Sequence, residues 1–219
     1  MEEKHKDVYL AALAGLLHDI GKFAQRAGER GSLDPQTARQ DHGYYHALLT
    51  ADAIEALVPA AWRKEVKLAA GNHHRPRGGL DALVQLADHL SAGEREADED
   101  NRIPYLRSPF SRLRGHDARR YLPLEPLDPT SQFIYPYARN EIWAEAEHTA
   151  EYRRLWDTFV TRVRDLPTTA LPTYVEALQE VLQQTTWSIP SAYYHSVPDV
   201  SLYDHSRMTA ALAACLTGK

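Results

Sequence analysis

His18 and Asp19, followed at once by Gly21 and Lys22, interrupt a stretch that otherwise reads as buried helix. Val8 to Leu17 is VYLAALAGLL, apolar without a break. An unpaired buried carboxylate is costly, so a charge in such a place is normally paired or bound to a metal ion. Further donors recur in the first half of the chain: His46, the doublet His73–His74, and Asp88 within LVQLADHLSAGER. Imidazole nitrogens mixed with carboxylate oxygens suit Zn, Mn, Fe, Co or Ni, whereas Mg and Ca prefer all-oxygen shells. Adjacent helical residues point about 100° apart, so His18 and Asp19 can hold one ion from two sides or bridge two.

A centre of this kind fits phosphate-ester hydrolysis, because a divalent ion lowers the pKa of its coordinated water towards neutrality. Lys22 is a candidate for holding the substrate phosphate, as are Arg75 and Arg77 beside the histidine doublet. Arg112, Arg114, Arg119 and Arg120 form a second basic cluster, for which a solvated surface is the plainer reading. Tyr44 and Tyr45 adjoin His46 and offer rings on which bases could stack; core packing is the expected role for at least one of them. His42, His89, His116, His148, His195 and His205 are read as structural or exposed, and Asp41–His42 as the start of a helix.

The elements that must position these residues are helices. The periodicity predicts one over 7–26, ending towards Gly28. A second covers about 43–58, with Leu48, Leu49, Ala51, Ile54 and Leu57 on one face and Pro59 as its stop. A third covers 60–73 and a fourth 80–97. Asp88 sits near the edge of the fourth helix's apolar stripe and can face the core. Four elements thus deliver one or two ligands each, as in metal sites inside helical bundles. Six prolines between 104 and 136 mark an ordered loop region with one short hairpin. Helices are expected again over 138–166, 172–186 and 203–216. The long one carries Trp143, Ala146, Ala150, Leu155, Phe159 and Val163 as a stripe. The last carries Met208, Ala211, Leu212 and Cys215, with Asp204 or Ser201 as its cap. The fold class is mainly α.

Composition excludes several alternatives. The 219 residues suffice for one substantial core, and 43% hydrophobic with 25% charged residues is ordinary globular usage. A net charge of −5 gives no global basic footprint, so any nucleic-acid contact must be local. A single cysteine, Cys215, cannot form an internal disulfide, which fits a reducing compartment. No apolar run reaches membrane-spanning length, and the expectation is a soluble cytoplasmic protein without a membrane partner. The acidic run Glu94, Glu96, Asp98, Glu99 and Asp100 reads as a solvated helix end, or as a partner contact.

The stretches LLHDIGKF, HALLTADAI, GNHH and LADHLSAGER, in that order, resemble the HD-domain superfamily of metal-dependent phosphohydrolases. The HD dyad comes almost first, with no upstream helix to bring the usual preceding histidine. In this the chain is similar to the permuted HD domain at the N-terminus of the large signature subunit of type III CRISPR–Cas effector complexes, particularly the III-A (Csm) kind. LRSPFSRL with YLPLEPLDP looks like that family's loop after the HD core. IPSAYYHSVPDVSLYDHSRMTAALAA looks like its linker to the first polymerase-like Palm domain. A GGDD signature and a second Palm are absent, so the chain looks like the N-terminal portion of a longer protein.

The resemblance implies a permuted HD-domain helical fold with a Pro-rich loop region and additional C-terminal helices. It divides the chain into a metal-site core over 1–98, the loop region over 99–137, a helical extension and connector over 138–200, and a junction helix over 201–219. It matches His18, Asp19, His73, His74 and Asp88 to metal-site positions, with His46 as an additional ligand. It matches Lys22 to the lysine of HD-x-G-K, facing a phosphate. The implied catalytic group is His18, Asp19 and Lys22, and the implied nucleic-acid contacts are Lys22, Arg75 and Arg77. The implied activity is divalent-metal-dependent cleavage of single-stranded DNA with one or two ions of Mn, Ni or Co. It would act within an antiviral complex containing the Palm domains, other effector subunits, CRISPR RNA and target RNA. Two other functions fit the dyad: a nucleotide or cyclic-nucleotide phosphohydrolase, which would need a closed pocket, and a non-catalytic docking domain of the complex.

Overall fold

The computed structural model describes residues 3–92, 104–108, 120–128, 137–138, 145–192 and 198–218. It is mainly helical, as expected. The order is α1 (Glu3–Leu17), α2 (Ile20–Arg26), α3 (Pro35–His42), α4 (Tyr45–Leu57), α5 (Ala60–Gly71) and α6 (Leu80–Ala92). The strands β1 (Arg120–Tyr121) and β2 (Tyr137–Ala138) follow, then α7 (Glu145–Arg164), α8 (Leu171–Thr186) and α9 (Leu202–Thr217). The strands pair antiparallel, Arg120 opposite Ala138 and Tyr121 opposite Tyr137, which is the short hairpin expected of the loop region.

Helix α1 is central. Leu10, Ala11, Leu13, Ala14, Leu16 and Leu17 are all buried, the all-round burial of a helix surrounded by others. It packs on α5, α6, α8 and α9, while α2 lies against α4 and α7. Phe23 of α2 meets Trp156 edge-on at 5.0 Å between ring centroids, with Phe159 at 5.9 Å, and this aromatic cluster fixes α7 to the first helices.

Four expectations need correction. The helix predicted over 7–26 is two, broken at His18–Asp19. The break is stitched by Thr50 of α4, whose hydroxyl accepts from the Gly21 N–H at 3.0 Å and donates to the His18 carbonyl at 2.9 Å. Asp41–His42 ends a helix instead of starting one: Asp34 caps α3 through the Gln36 and Thr37 N–H groups, with Pro35 next to it. Residue 138 lies in β2, and α7 is described from Glu145.

The fourth concerns α9. Met208 is 53% exposed and Cys215 is exposed, so the predicted stripe is not the packed face. The buried face is Leu202, His205, Ser206, Thr209, Ala210 and Ala213. The reason is close approach: a Cβ added at Gly15 of α1 would stand 2.6 Å from the Ala210 Cα. Small residues are what such a contact admits. Ser201 caps the helix, accepting from the Asp204 N–H at 2.9 Å.

Trp143, Ala146, His116, His195, the acidic run 94–100, Arg112, Arg114 and Arg119, and the side chain of Arg120, lie outside the described residues.

Candidate metal centre

The break between α1 and α2 turns His18 and Asp19 inward together, and both are buried. Asp19 stands at the N-cap of α2 yet makes no side-chain cap bond, because its carboxylate points into a cluster of histidines. Its two oxygens face different groups. Oδ1 lies 3.5 Å from His46 Nε2 and 3.9 Å from His73 Nε2. Oδ2 lies 3.4 Å from both His18 Nε2 and His205 Nε2. Asp88 completes the second group, its Oδ1 being 3.1 Å from His205 Nε2 and 3.5 Å from His18 Nε2. His74 completes the first, its Nε2 being 2.9 Å from His46 Nε2.

Two quartets result, Asp19–His46–His73–His74 and His18–Asp19–Asp88–His205, with Asp19 common to both. Their donor atoms fit transition ions. Asp19 Oδ1 and His73 Nε2 are buried and have no hydrogen-bond partner among the described residues. They face each other at a distance too long for a hydrogen bond and suited to two ligands of one ion. The outward nitrogens set the tautomers. His18 Nδ1 lies 2.8 Å from the Gly15 carbonyl, and His73 Nδ1 lies 2.6 Å from that of Ala70. A carbonyl only accepts, so in both rings Nδ1 carries the proton and donates. In the neutral ring Nε2 is then bare towards the cluster. His205 Nδ1 is 3.0 Å from Ser91 Oγ, which itself bonds the Asp88 carbonyl.

The electrostatics of three of the imidazoles agree with ligand roles. Burial pushes His46 down to about 3, and burial with the nearby His18 holds His73 well below the ordinary imidazole range. Burial lowers His74 as well. These three imidazoles are neutral at physiological pH, the form that binds metal. Burial also opposes charge on His18, but Asp19 and Asp88 outweigh it and raise its pKa to about 9. Burial alone would raise Asp19; Lys22 and His18 instead hold it well below the usual carboxylate range. Lys22 Nζ stands 2.5 Å from Asp19 Oδ2 and is partly exposed at the edge of the cluster.

Lys22 also lines a cleft of about 400 Å³ that opens beside His46 and is walled by Arg26, Arg39, Tyr44 and Tyr45. The structure therefore brings together His18, Asp19, Lys22, His46, His73, His74 and Asp88. Arg75 lies at the rim: it donates to the Gln40 carbonyl and shares a shallow groove with Arg39. Arg77 is elsewhere, lining a different groove with Asp7 and Glu65. His205, expected to be structural or exposed, is buried and joins the second quartet.

A helical domain in which an HD dyad opens a cluster of imidazoles and carboxylates defines a class, and the family model of the HD domain matches residues 1–93. Along nearly its whole length the chain is also similar to two Cas10/Csm1 proteins of subtype III-A CRISPR systems. The single-strand-specific deoxyribonuclease Cas10/Csm1 of Methanocaldococcus jannaschii is 27% identical over 237 residues, covering 93% of this chain and 27% of that protein. Its counterpart in Mycobacterium tuberculosis is 27% identical over 234 residues, covering 94% of this chain and 28% of that one. The fold matches Csm1 in T.onnurineus with a TM-score of 0.65 at 24% identity, over 95% of this chain and 28% of that one. It matches a Csm1–Csm4 cassette solved in complex with cA4 with a TM-score of 0.64 at 22% identity, again over 95% of this chain and 28% of the other. The chain spans a little over a quarter of the length of these relatives. No helix among the described residues is long and apolar enough to cross a membrane.

Proposed function

We propose that this chain is a divalent-metal-dependent nuclease domain that cuts single-stranded DNA within a type III-A effector complex. The observation that carries the reading is the placing of Asp19 between two ligand quartets beside an exposed basic cleft. His46, His73 and His74 with Asp19 Oδ1 would hold one ion, and His18, His205 and Asp88 with Asp19 Oδ2 the other. Mn, Ni or Co suits this mixed nitrogen and oxygen set. Ions so held would lower the pKa of coordinated water and stabilise charge on a phosphate. The chain's own residues do the rest. Asp19 fixes the spacing of the two positions, and the Gly15, Ala70 and Ser91 bonds orient the imidazoles. Lys22, at the edge of the cluster and lining the cleft, would hold the substrate phosphate. Arg75 guides the strand at the rim. The exposure of Tyr44 and Arg39 on the cleft walls supports an extended substrate over a small nucleotide in a closed pocket.

The single-strand specificity named for the two Cas10/Csm1 relatives supports the same substrate here. The Palm domains, Csm4-like and other subunits, CRISPR RNA and target RNA would be the partners in the assembled complex. Purified protein supplied with Mn²⁺ should cut single-stranded DNA, prefer it over duplex, and stop on addition of chelator. Cleavage persisting in EDTA would overturn the proposal.

A further inference from the structure

We propose that Tyr44 is the platform on which one nucleobase of the substrate strand stacks beside the metal ligands, an inference that rests on the nuclease reading above. Two adjacent tyrosines precede His46, and the structure separates their roles. Tyr45 is built in: its hydroxyl accepts from the Gly31 N–H at 2.8 Å, and a Cβ added at Gly31 would touch its ring. Tyr44 is left out, with 56% of its surface exposed.

The ring is nevertheless held. Gly43 adopts a φ of 84°, a turn that side-chain-bearing residues rarely make, and delivers Tyr44 in extended conformation to the start of α4. There the ring stacks against His46 (centroids 5.4 Å apart, planes at 27°) and leans on His74 at 4.4 Å. An aromatic oriented by two candidate ligands but half open to the cleft has the form of a stacking surface. Arg39 lies in the same cleft, exposed and with no ion pair among the described residues, and Lys22 lines the cleft as well. The two cations would hold phosphates of a strand whose base stacks on Tyr44. A duplex has no such free base, because each is already stacked on both sides. Tyr44 would therefore turn an otherwise sequence-blind basic cleft into one selective for single strands.

The test compares wild type, Tyr44→Phe and Tyr44→Ala on single-stranded oligonucleotides carrying one abasic position, walked along the strand. Binding is read by anisotropy in EDTA, cleavage in Mn²⁺, and bound Mn²⁺ by metal analysis. Tyr44→Ala should bind about tenfold more weakly with unchanged Mn²⁺ content, and Tyr44→Phe should stay within about twofold. One abasic position should weaken wild type by a similar factor and leave Tyr44→Ala indifferent. Wild-type affinity with wild-type abasic sensitivity in Tyr44→Ala overturns the proposal. Loss of Mn²⁺ from that variant also overturns it, since the ring would then serve the ligands and not the strand. Failure of wild type to cut any DNA would sink the nuclease reading, while the binding arm still reports on Tyr44.

Discussion

His18 and His205, 187 positions apart in the chain, bring their Nε2 atoms to 3.3 Å of one another. Two imidazole nitrogens this close, both also facing Asp19 and Asp88, make up one of the two candidate ion positions. The relationship exists because α9 packs directly on α1, at a contact where Gly15 lets the Ala210 backbone approach. The last helix is therefore both part of the core and a supplier of the centre.

His205→Ala should remove one ion and leave the other. His46, His73, His74 and Asp19 remain in place, and loss of a single imidazole from α9 leaves its packed face of Leu202, Ala210 and Ala213 intact. Metal analysis should fall from two equivalents towards one, DNA cleavage should drop by at least about a hundredfold, and the helical circular dichroism should stay near wild type. Unchanged metal content would remove His205 from the ligand set.

Metal removal should lower the melting temperature. The candidate ligands come from the α1–α2 break, α4, the residues after α5, α6 and α9, so bound ions would add ties between elements already joined by packing and by the Thr50 and Ser91 hydrogen bonds. An ion present at a hundred times its dissociation constant stabilises by about 2.7 kcal/mol, several degrees for a domain of this size. Chelator should produce that shift in wild type and little in Asp19→Asn, whose site lacks the shared carboxylate. Equal melting of the two proteins with and without chelator would contradict a shared centre.

Much of this centre was readable before the fold. Adjacent His and Asp in an apolar run, a histidine doublet before a loop, and Asp88 beside an apolar stripe all carry their meaning locally. His205 does not, because a single imidazole in LYDHSR looks like surface until a distant helix is laid against it. The α9 stripe failed for a related reason: periodicity rewards large apolar residues such as Met208 and Leu212. Helices that approach at Gly15 are joined by Ala, Ser and Thr, which carry no hydrophobic signal. The break at His18 was equally hidden, since Asp19 at the N-cap of α2 makes no side-chain cap bond, no proline marks the place, and its partner, Thr50, lies 32 positions from His18. Helix α3 could have been found: Asp34–Pro35 is a cap and first-turn pair in an otherwise polar segment.

Alkaline pH should destabilise the fold through Tyr174. Burial among α8 and its neighbours pushes its hydroxyl up to about 12, against 10 for an ordinary tyrosine. Below pH 10 the residue is neutral in folded and unfolded chains alike. Above it the unfolded chain loses the proton first, so stability falls as pH rises from 10 through about 12. Urea midpoints should decline over this window in wild type and less steeply in Tyr174→Phe, which cannot ionise. Parallel declines would show that other tyrosines dominate.

Thr50→Val should do the most damage for the smallest change in shape. The Thr50 side chain is buried, accepts from the Gly21 N–H and donates to the His18 carbonyl, so its hydroxyl satisfies one backbone donor and one backbone acceptor at the helix break. Valine fills the same space and leaves them unpaired, at about 1–3 kcal/mol each. Water has no easy route in: a Cβ at Gly21 would already collide with the His46 carbonyl and the Thr50 amide. The variant should lose about 2–5 kcal/mol in urea unfolding, while Thr50→Ser, which keeps the hydroxyl, loses much less. Because His18 and Asp19 are held by this stitch, metal affinity should fall in Thr50→Val and recover in Thr50→Ser. A valine variant that binds metal normally would show that the ligands, and not Thr50, hold the break open.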